Sequence, residues 1–523
     1  MVSHCHHHDH THSNPFKSYS DDVTRFPKEE REFAYSAYEA EAIGEICGPR
    51  LAGSKGCLKC ASILSDLVRP VSDHVVLQPF TTQTTGFTNF FPALFVIFLI
   101  GVLASIPLTG IISIVVPFVS TFISFILFVV QFLFYGKTFD FLFKEKPCSN
   151  VIAIKDCQAQ KKKEKFEKQR EQKRSGVLSC ASPSFSSSEY VDVHQIEIIN
   201  EETSDETKEQ KDVSVPQRTV LIGGHHDAAK CFTLLENDKL QGFYLICGMT
   251  PIFGMFIVMI FAIVALVLSF SNPSHFVVSH FSTIALSSGV LLLPALFFIH
   301  PYKISKGIGD NLACSVLCKN VMKYFDNKPC KNTRIIFVSS DAEEAGLRGM
   351  KAFVRKCLEE ADKKKRGEAV CTEFPYHSIF PSSSSSSSSS SPNISCILFD
   401  SIYNMPDLAV LKSEVNGIVK ADQNMVSSVV TCFDAVSKQE EQRGDDPFKV
   451  TVKPMPIGGG STDAGVLSSL NIPAACVVGL PFSMVDTHYH TTRDTADKVD
   501  MRTMSVCAKM AIEYIEKVDR GEL

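Results

Sequence analysis

The sequence predicts an α/β fold, a mixed and mostly parallel sheet with helices on both faces, interrupted by two inserted transmembrane helical hairpins. Short apolar runs rich in β-branched residues recur along the chain: SNVIAIK, RTVLIGG, NTRIIFVSS, ISCILFDS and AACVVG. Helix-like stretches fall between them, at 311–325, 346–360 and 424–440. Strands alternating with helices argue for a largely parallel sheet covered on its faces. Two long blocks almost free of charge account for the hairpins.

The first block, Val75 to Gly136, contains no Asp, Glu, Lys, Arg or His, and within it 90–108 and 111–134 are almost wholly apolar. The second, Leu240 to Tyr302, lacks Asp, Glu, Lys and Arg and holds two further apolar segments, 243–270 and 275–300, separated by SNPS. Spanning a bilayer takes roughly 20 apolar residues, so four spans in two hairpins are expected. Prolines at 92, 107, 117, 251 and 294 are tolerable in membrane helices, where neighbours satisfy the freed backbone groups.

The chain divides accordingly. Residues 1–30 read as a disordered His-rich tail, with six histidines between His4 and His12 whose ability to bind metal is left open. Residues 31–88 begin a soluble domain, 89–136 form hairpin 1, and 137–157 return a strand. Residues 158–217 are charged and then Ser-rich, and are expected to be disordered. Residues 218–240 resume the soluble domain, 241–302 form hairpin 2, and 303–523 complete the domain around a Ser-rich loop at 381–392.

Composition narrows the function classes. With 52 basic and 57 acidic residues, the net charge of −5 gives no electrostatic footprint for nucleic acid, and no basic patch interleaves with aromatics. The 18 cysteines are scattered, as free thiols in a reducing compartment would be. The CxxC of Cys57 and Cys60 lies in a helix-like stretch without a second pair and reads as packing. No secretory signal opens the sequence, and Asn393-Ile394-Ser395 is its one glycosylation sequon. Lys137, Lys144, Lys146, Lys303 and Lys306 follow the returning ends of the hairpins. Lys155 to Arg174 adds nine basic residues against four acidic ones. Positive flanks stay cytoplasmic, which places the soluble part of this multi-pass protein in the cytosol. The organelle and the oligomeric state stay open.

Metal-competent side chains collect where the strand-like runs end. RTVLIGG runs into His225-His226-Asp227, GIGDNLAC carries Asp310, RIIFVSS leads to Glu343-Glu344, ISCILF ends on Asp400, and DTHYHTTRDT offers His488 and His490. In open α/β sheets, ligands gather beyond the carboxyl ends of the strands. Taken alone, each of these stretches also reads as a polar turn. Their convergence argues for a metal site.

The ordered set GPRLAGSKG, NVIAI, GGHHDA, GDN, EEAGLRG, the FD at Asp400, GGGSTDAG and HTTRDT resembles the co-catalytic di-zinc aminopeptidases. That group takes in bacterial leucyl aminopeptidases and glutamate carboxypeptidases, with the glutaminyl cyclases as relatives. The resemblance implies two Zn²⁺ ions per chain held by His225, Asp310, Glu344, Asp400 and His490. Asp310 would bridge, Glu344 and His490 would complete one ion, and His225 and Asp400 the other. It implies Asp227 as the carboxylate orienting His225, Glu343 as general base toward the attacking water, and peptides as substrates. His226 becomes a neighbour outside the ligand set, and His490 is preferred to His488. The activity implied is that of a membrane-anchored zinc exopeptidase, an aminopeptidase in particular. A glutaminyl cyclase-like enzyme and a non-catalytic scaffold are the alternatives. One departure stands out: 84 residues, including the second apolar block, separate His225 from Asp310, where family members have a short loop. The active site is therefore expected near the bilayer surface.

Overall fold

A computed structural model describes residues 23–138, 140–158, 218–272, 274–380 and 394–523. The histidine cluster, all but the first residue of the charged and Ser-rich insert, and the serine run lie outside the described residues. In chain order the strands are β1 (His74–Thr82), β2 (Lys146–Lys155), β3 (Arg218–His225), β4 (Lys230–Phe232), β5 (Ile299–Ile304), β6 (Thr333–Ser340), β7 (Ile394–Ile402), β8 (Ala409–Glu414), β9 (Val419–Lys420), β10 (Thr451–Pro454) and β11 (Ala474–Gly479).

Nine of these make one sheet in the order β1-β2-β6-β3-β7-β11-β8-β10, with β9 on β8. Its centre is parallel: β3 pairs β6 and β7, and β11 pairs β7. The flanks turn antiparallel, β1 on β2, β2 on β6 and β8 on β11. All eight residues of β6 and all six of β11 are buried, as expected of parallel strands covered on both faces, which read as unbroken apolar runs. Because β3, β6 and β7 run in one direction, their carboxyl ends share one edge.

The predicted helices appear as Ala313–Asn327, Arg348–Lys365 and Gln423–Gln442, joined by Ser36–Cys47, Lys55–Val68 and Met501–Arg520. Side-chain caps fix several starts: Ser54 accepts from the Cys57 amide, Asp422 from Met425 and Asp500 from Thr503. The tail ends earlier than the expected boundary at residue 30. Glu30 is buried and accepts from Ser505 Oγ and Lys509 Nζ, each at 3.0 Å. Lys155, counted with the basic residues of 155–174, is the last residue of β2, buried and paired with Asp326 at 2.7 Å.

Three helices, Gly86–Ser105, Ile112–Leu133 and Gln241–Ser271, are long and apolar enough to cross a membrane. The fourth expected span is not among them. The return of the second block breaks into Phe276–Ser279, Phe281–Ser288, a 3-10 turn and Pro294–Phe297. Its apolar stretch Phe281–Phe297 covers only ~26 Å at 1.5 Å per residue, short of the ~30 Å hydrocarbon core. His280 and the serines interrupt its start, Pro294 falls near its end, and Ile299–Ile304 leaves the block to pair with β4. That ribbon closes the insertion at its base.

Small residues close the first hairpin and join it to the second block. Ser124 Oγ donates to the Leu94 carbonyl at 3.1 Å, Ser105 and Ser282 hydroxyls meet at 3.0 Å, and Gly101 leaves no room for a side chain beside Ser120. Close backbone approach of this kind drives association where lipid offers no hydrophobic contrast. Outward, Ile100, Ile112, Ile260, Val267 and Phe270 remain exposed, a surface suited to acyl chains.

Candidate metal centre

The shared strand edge carries the chemistry. His225 ends β3 and faces Asp310 across 3.4 Å, Nε2 to Oδ1. Its other nitrogen, Nδ1, donates to the Asp227 backbone carbonyl at 3.2 Å and lies 3.4 Å from Asp227 Oδ1. A proton on Nδ1 leaves the Nε2 lone pair aimed into the site. On the opposite side of Asp310, His490 Nε2 sits 3.0 Å from Oδ2 and 3.0 Å from Glu344 Oε1. Asp310 thus turns one oxygen to each imidazole. Ser401 Oγ joins Asp310 Oδ1 at 3.0 Å and Asp400 Oδ1 at 2.8 Å, bringing the end of β7 into the group. Ligand atoms of His225, Asp310 and Glu344 lie within 4.8 Å of one another.

Glu343 stands apart from its neighbour. Its Oε2 approaches His225 Nε2 only to 3.8 Å, while Glu344 contacts His490. Both backbone amides are clamped by one carboxylate: Glu343 N donates to Asp227 Oδ1 at 3.1 Å and Glu344 N to Asp227 Oδ2 at 3.2 Å. Asp227 therefore sets the imidazole of His225 and the turn bearing both glutamates. Ala342, Ser401 and His490 adopt positive φ, conformations that non-glycine residues hold only when the surroundings impose them, as at functional sites.

The electrostatics call for cations. Asp227, Asp310, Glu343, Glu344, Asp400, Asp463 and Asp494 crowd around two imidazoles. Burial pushes Glu344 and Asp463 up to about 7 and Asp400 to about 6, against the opposing pull of His490, Ser340 and His225 respectively. Burial disfavours a charged His490, yet Glu344 and Asp310 raise it to about 10. Asp310 Oδ2 is buried without an aligned hydrogen-bond donor. Imidazole nitrogens with carboxylate oxygens are zinc's usual donors, so these residues fit that metal.

Residues 271–515 match the profile of peptidase family M28. The match spans just under half of the chain. The chain's class is zinc metallopeptidase. The M28 match takes in Asp310, Glu343, Glu344, Asp400 and His490 and begins beyond His225, inside the second apolar block. Among solved structures, the Legionella pneumophila LapA aminopeptidase aligns with a TM-score of 0.41 at 10% identity, covering 95% of this chain and 74% of its own. A Zn-dependent exopeptidase from Parabacteroides distasonis aligns at 0.43 and 10% identity, covering 92% and 97%. The Bacteroides thetaiotaomicron glutaminyl cyclase aligns at 0.42 and 10% identity, again covering 92% and 97%. Comparison with curated proteins yields no match.

The sequence-predicted positions His225, Asp227, Asp310, Glu343, Glu344, Asp400 and His490 come together. His488 does not contact Asp310 or Glu344 among the described contacts, whereas His490 does. Sequence reasoning gave no role to Asp494, which accepts from Gly309 N at 2.8 Å and Asp310 N at 3.2 Å and so fixes the loop presenting Asp310. Nor did it assign Ser401, or Asp463, which bonds Ser340 beside the site. Asp494 lies within HTTRDT and Asp463 within GGGSTDAG, so the motifs held the signal without the role.

The feet of both apolar blocks form part of the surroundings. The His490 ring lies 3.9 Å from Tyr489 and 4.4 Å from Phe232, centroid to centroid. Phe232 in turn packs on Tyr244 at 5.3 Å and Phe298 at 5.2 Å, the entry and exit of the second block. From the first block, the Tyr135 carbonyl accepts from Lys351 Nζ at 2.8 Å and the Gly136 carbonyl from Arg348 at 2.7 Å, both on the helix after the glutamate pair. Phe87 stacks on Tyr135 at 5.1 Å and lies against Gly346.

Proposed function

We propose that the chain is a membrane-anchored zinc exopeptidase that removes amino-terminal residues from peptides, with two zinc ions per chain. The observation that carries this reading is Asp310, whose two oxygens face His225 on one side and His490 on the other. His225 and Asp400 would hold one ion and Glu344 and His490 the second, with Asp310 common to both sets. Zinc bound there would lower the pKa of water and polarise a carbonyl. Glu343 takes the proton of the water whose oxygen attacks the scissile carbonyl, then delivers it to the amine as the carbon–nitrogen bond breaks. Its carboxylate comes only to 3.8 Å of His225 whereas Glu344 lies 3.0 Å from His490, which suits a base better than a ligand.

Asp227 is a positioning residue. Asp227→Ala is expected to weaken zinc binding by about 10–100-fold, the usual cost of losing a carboxylate that orients a ligating imidazole. Competition with a chromophoric chelator measures it, and wild-type affinity would remove Asp227 from this role. The chain's soluble part faces the cytosol, supported by the lysines flanking the apolar blocks. The aromatic contacts of His490 with the foot of the second block support an active site close to the bilayer surface and peptides presented there.

The test uses the full chain in detergent, loaded with zinc. Aminoacyl anilides and dipeptides are expected to be hydrolysed, with free amino acid as product. Loss of ammonia from an amino-terminal glutamine peptide without hydrolysis would identify a cyclase. Neither reaction in fully loaded protein would leave a binding scaffold and overturn the proposal.

A further inference from the structure

The second histidine of GGHHDA points to a different cluster. Cys57, His226 and Asp341 place a thiol, a ring nitrogen and a carboxylate oxygen within 4.8 Å of one another. All three are fully buried. Cys57 lies in the first turn of the Lys55–Val68 helix, His226 directly after β3, and Asp341 directly after β6. Cys57 Sγ donates to Asp341 Oδ1 at 3.2 Å, and the Ser149 amide donates to Oδ2 at 2.9 Å. A second buried thiol, that of Cys148 on β2, lies beside Asp341, outside this group of three. His226 Nδ1 meets Ser339 Oγ at 2.9 Å, while its Nε2 is buried with no hydrogen-bond partner among the described residues.

A packing role accounts for buried thiols, which behave as small apolar side chains. It does not account for an imidazole nitrogen sealed from water without a hydrogen bond, because buried polar groups are almost always satisfied. Cys57, His226 and Asp341 supply three donors of a tetrahedral site and the Cys148 thiol beside Asp341 offers the fourth, and thiolates favour zinc over magnesium, calcium or manganese. Arg50 lies close, but its Nε donates to the His226 carbonyl and its second nitrogen to the Gly307 carbonyl, so its charge is engaged by backbone.

We propose that Cys57, Cys148, His226 and Asp341 form a structural zinc site separate from the catalytic centre. Binding displaces the two thiol protons to solvent as thiolate–metal bonds form. The ion ties a helix start to β2 and to the ends of β3 and β6. Those strand ends present His225 and the glutamate pair, so adjacent histidines, pointing to opposite sides of the backbone, serve two sites.

Cobalt substitution of the full chain tests this independently of activity. The catalytic donors are nitrogen and oxygen only, so an intense thiolate-to-cobalt charge-transfer band in the near ultraviolet reports this site. Cys57→Ser and Cys148→Ser are each expected to abolish the band and remove one cobalt per chain. Glu344→Gln should lose catalytic metal and keep the band. Absence of the band in fully loaded wild type, or its persistence in the double serine variant, overturns the proposal. If the serine variants fail to fold, alkylation of wild type mapped by mass spectrometry decides. Cys57 and Cys148 are expected to become reactive on chelation and protected again by zinc. Reactivity unchanged by metal, or a disulfide joining the two, overturns it.

Discussion

Replacing Glu343 with Gln is expected to lower kcat by about 10²–10⁴-fold, the range lost with a general base, while zinc content and KM stay near wild type. Gln matches Glu in size and preserves the backbone amide that donates to Asp227 Oδ1 at 3.1 Å, so the turn keeps its shape. What Gln cannot do is accept a proton. The two glutamates are separable by this test. Glu344 Oε1 lies 3.0 Å from His490, and Glu344→Gln is expected to release metal; Glu343 Oε2 comes no nearer than 3.8 Å to His225. Stoichiometry by atomic emission and steady-state kinetics on an aminoacyl anilide measure both. Zinc loss in Glu343→Gln would exchange the two assignments, and wild-type kcat would remove Glu343 from the chemistry.

The parts of the fold legible in the sequence are those where one physical demand dominates. Strands β2, β3, β6, β7 and β11 are buried at the sheet's centre, and burial on both faces writes an apolar run that periodicity alone reveals. Part of the candidate site was legible because His225, the glutamate pair and Asp400 lie at or just beyond the ends of β3, β6 and β7. Long-range partnerships were not. Asp494 acts on backbone amides 184 and 185 positions away, and no local pattern encodes that pairing. The return of the second apolar block was misread because absence of charge is necessary for a span but does not guarantee a continuous helix. Phe276–Phe297 is apolar yet breaks at His280, Gly289 and Pro294. Cys57 reads as packing from its helical setting, since only the fold brings β2 and the ends of β3 and β6 to it.

Asp310→Ala is expected to strip both catalytic ions together, with loss of all measurable turnover. The reasoning rests on its two oxygens. Oδ1 faces His225 at 3.4 Å and Oδ2 faces His490 at 3.0 Å, so this one carboxylate turns an oxygen to each half of the site. Removing an orienting partner costs about 10–100-fold in metal affinity, and removing a directly ligating carboxylate shared by both ions costs more at each. The loop itself should survive, because Asp494 holds the Gly309 and Asp310 backbone amides and neither bond involves the Asp310 side chain. Zinc counted per chain after dialysis distinguishes this from the single-ligand variants. His225→Ala and His490→Ala are each expected to forfeit one ion, and Asp310→Ala two. A full equivalent of catalytic zinc retained by folded Asp310→Ala would mean that the carboxylate serves one ion alone, and the attack on the carbonyl would then have to be explained without a shared ligand.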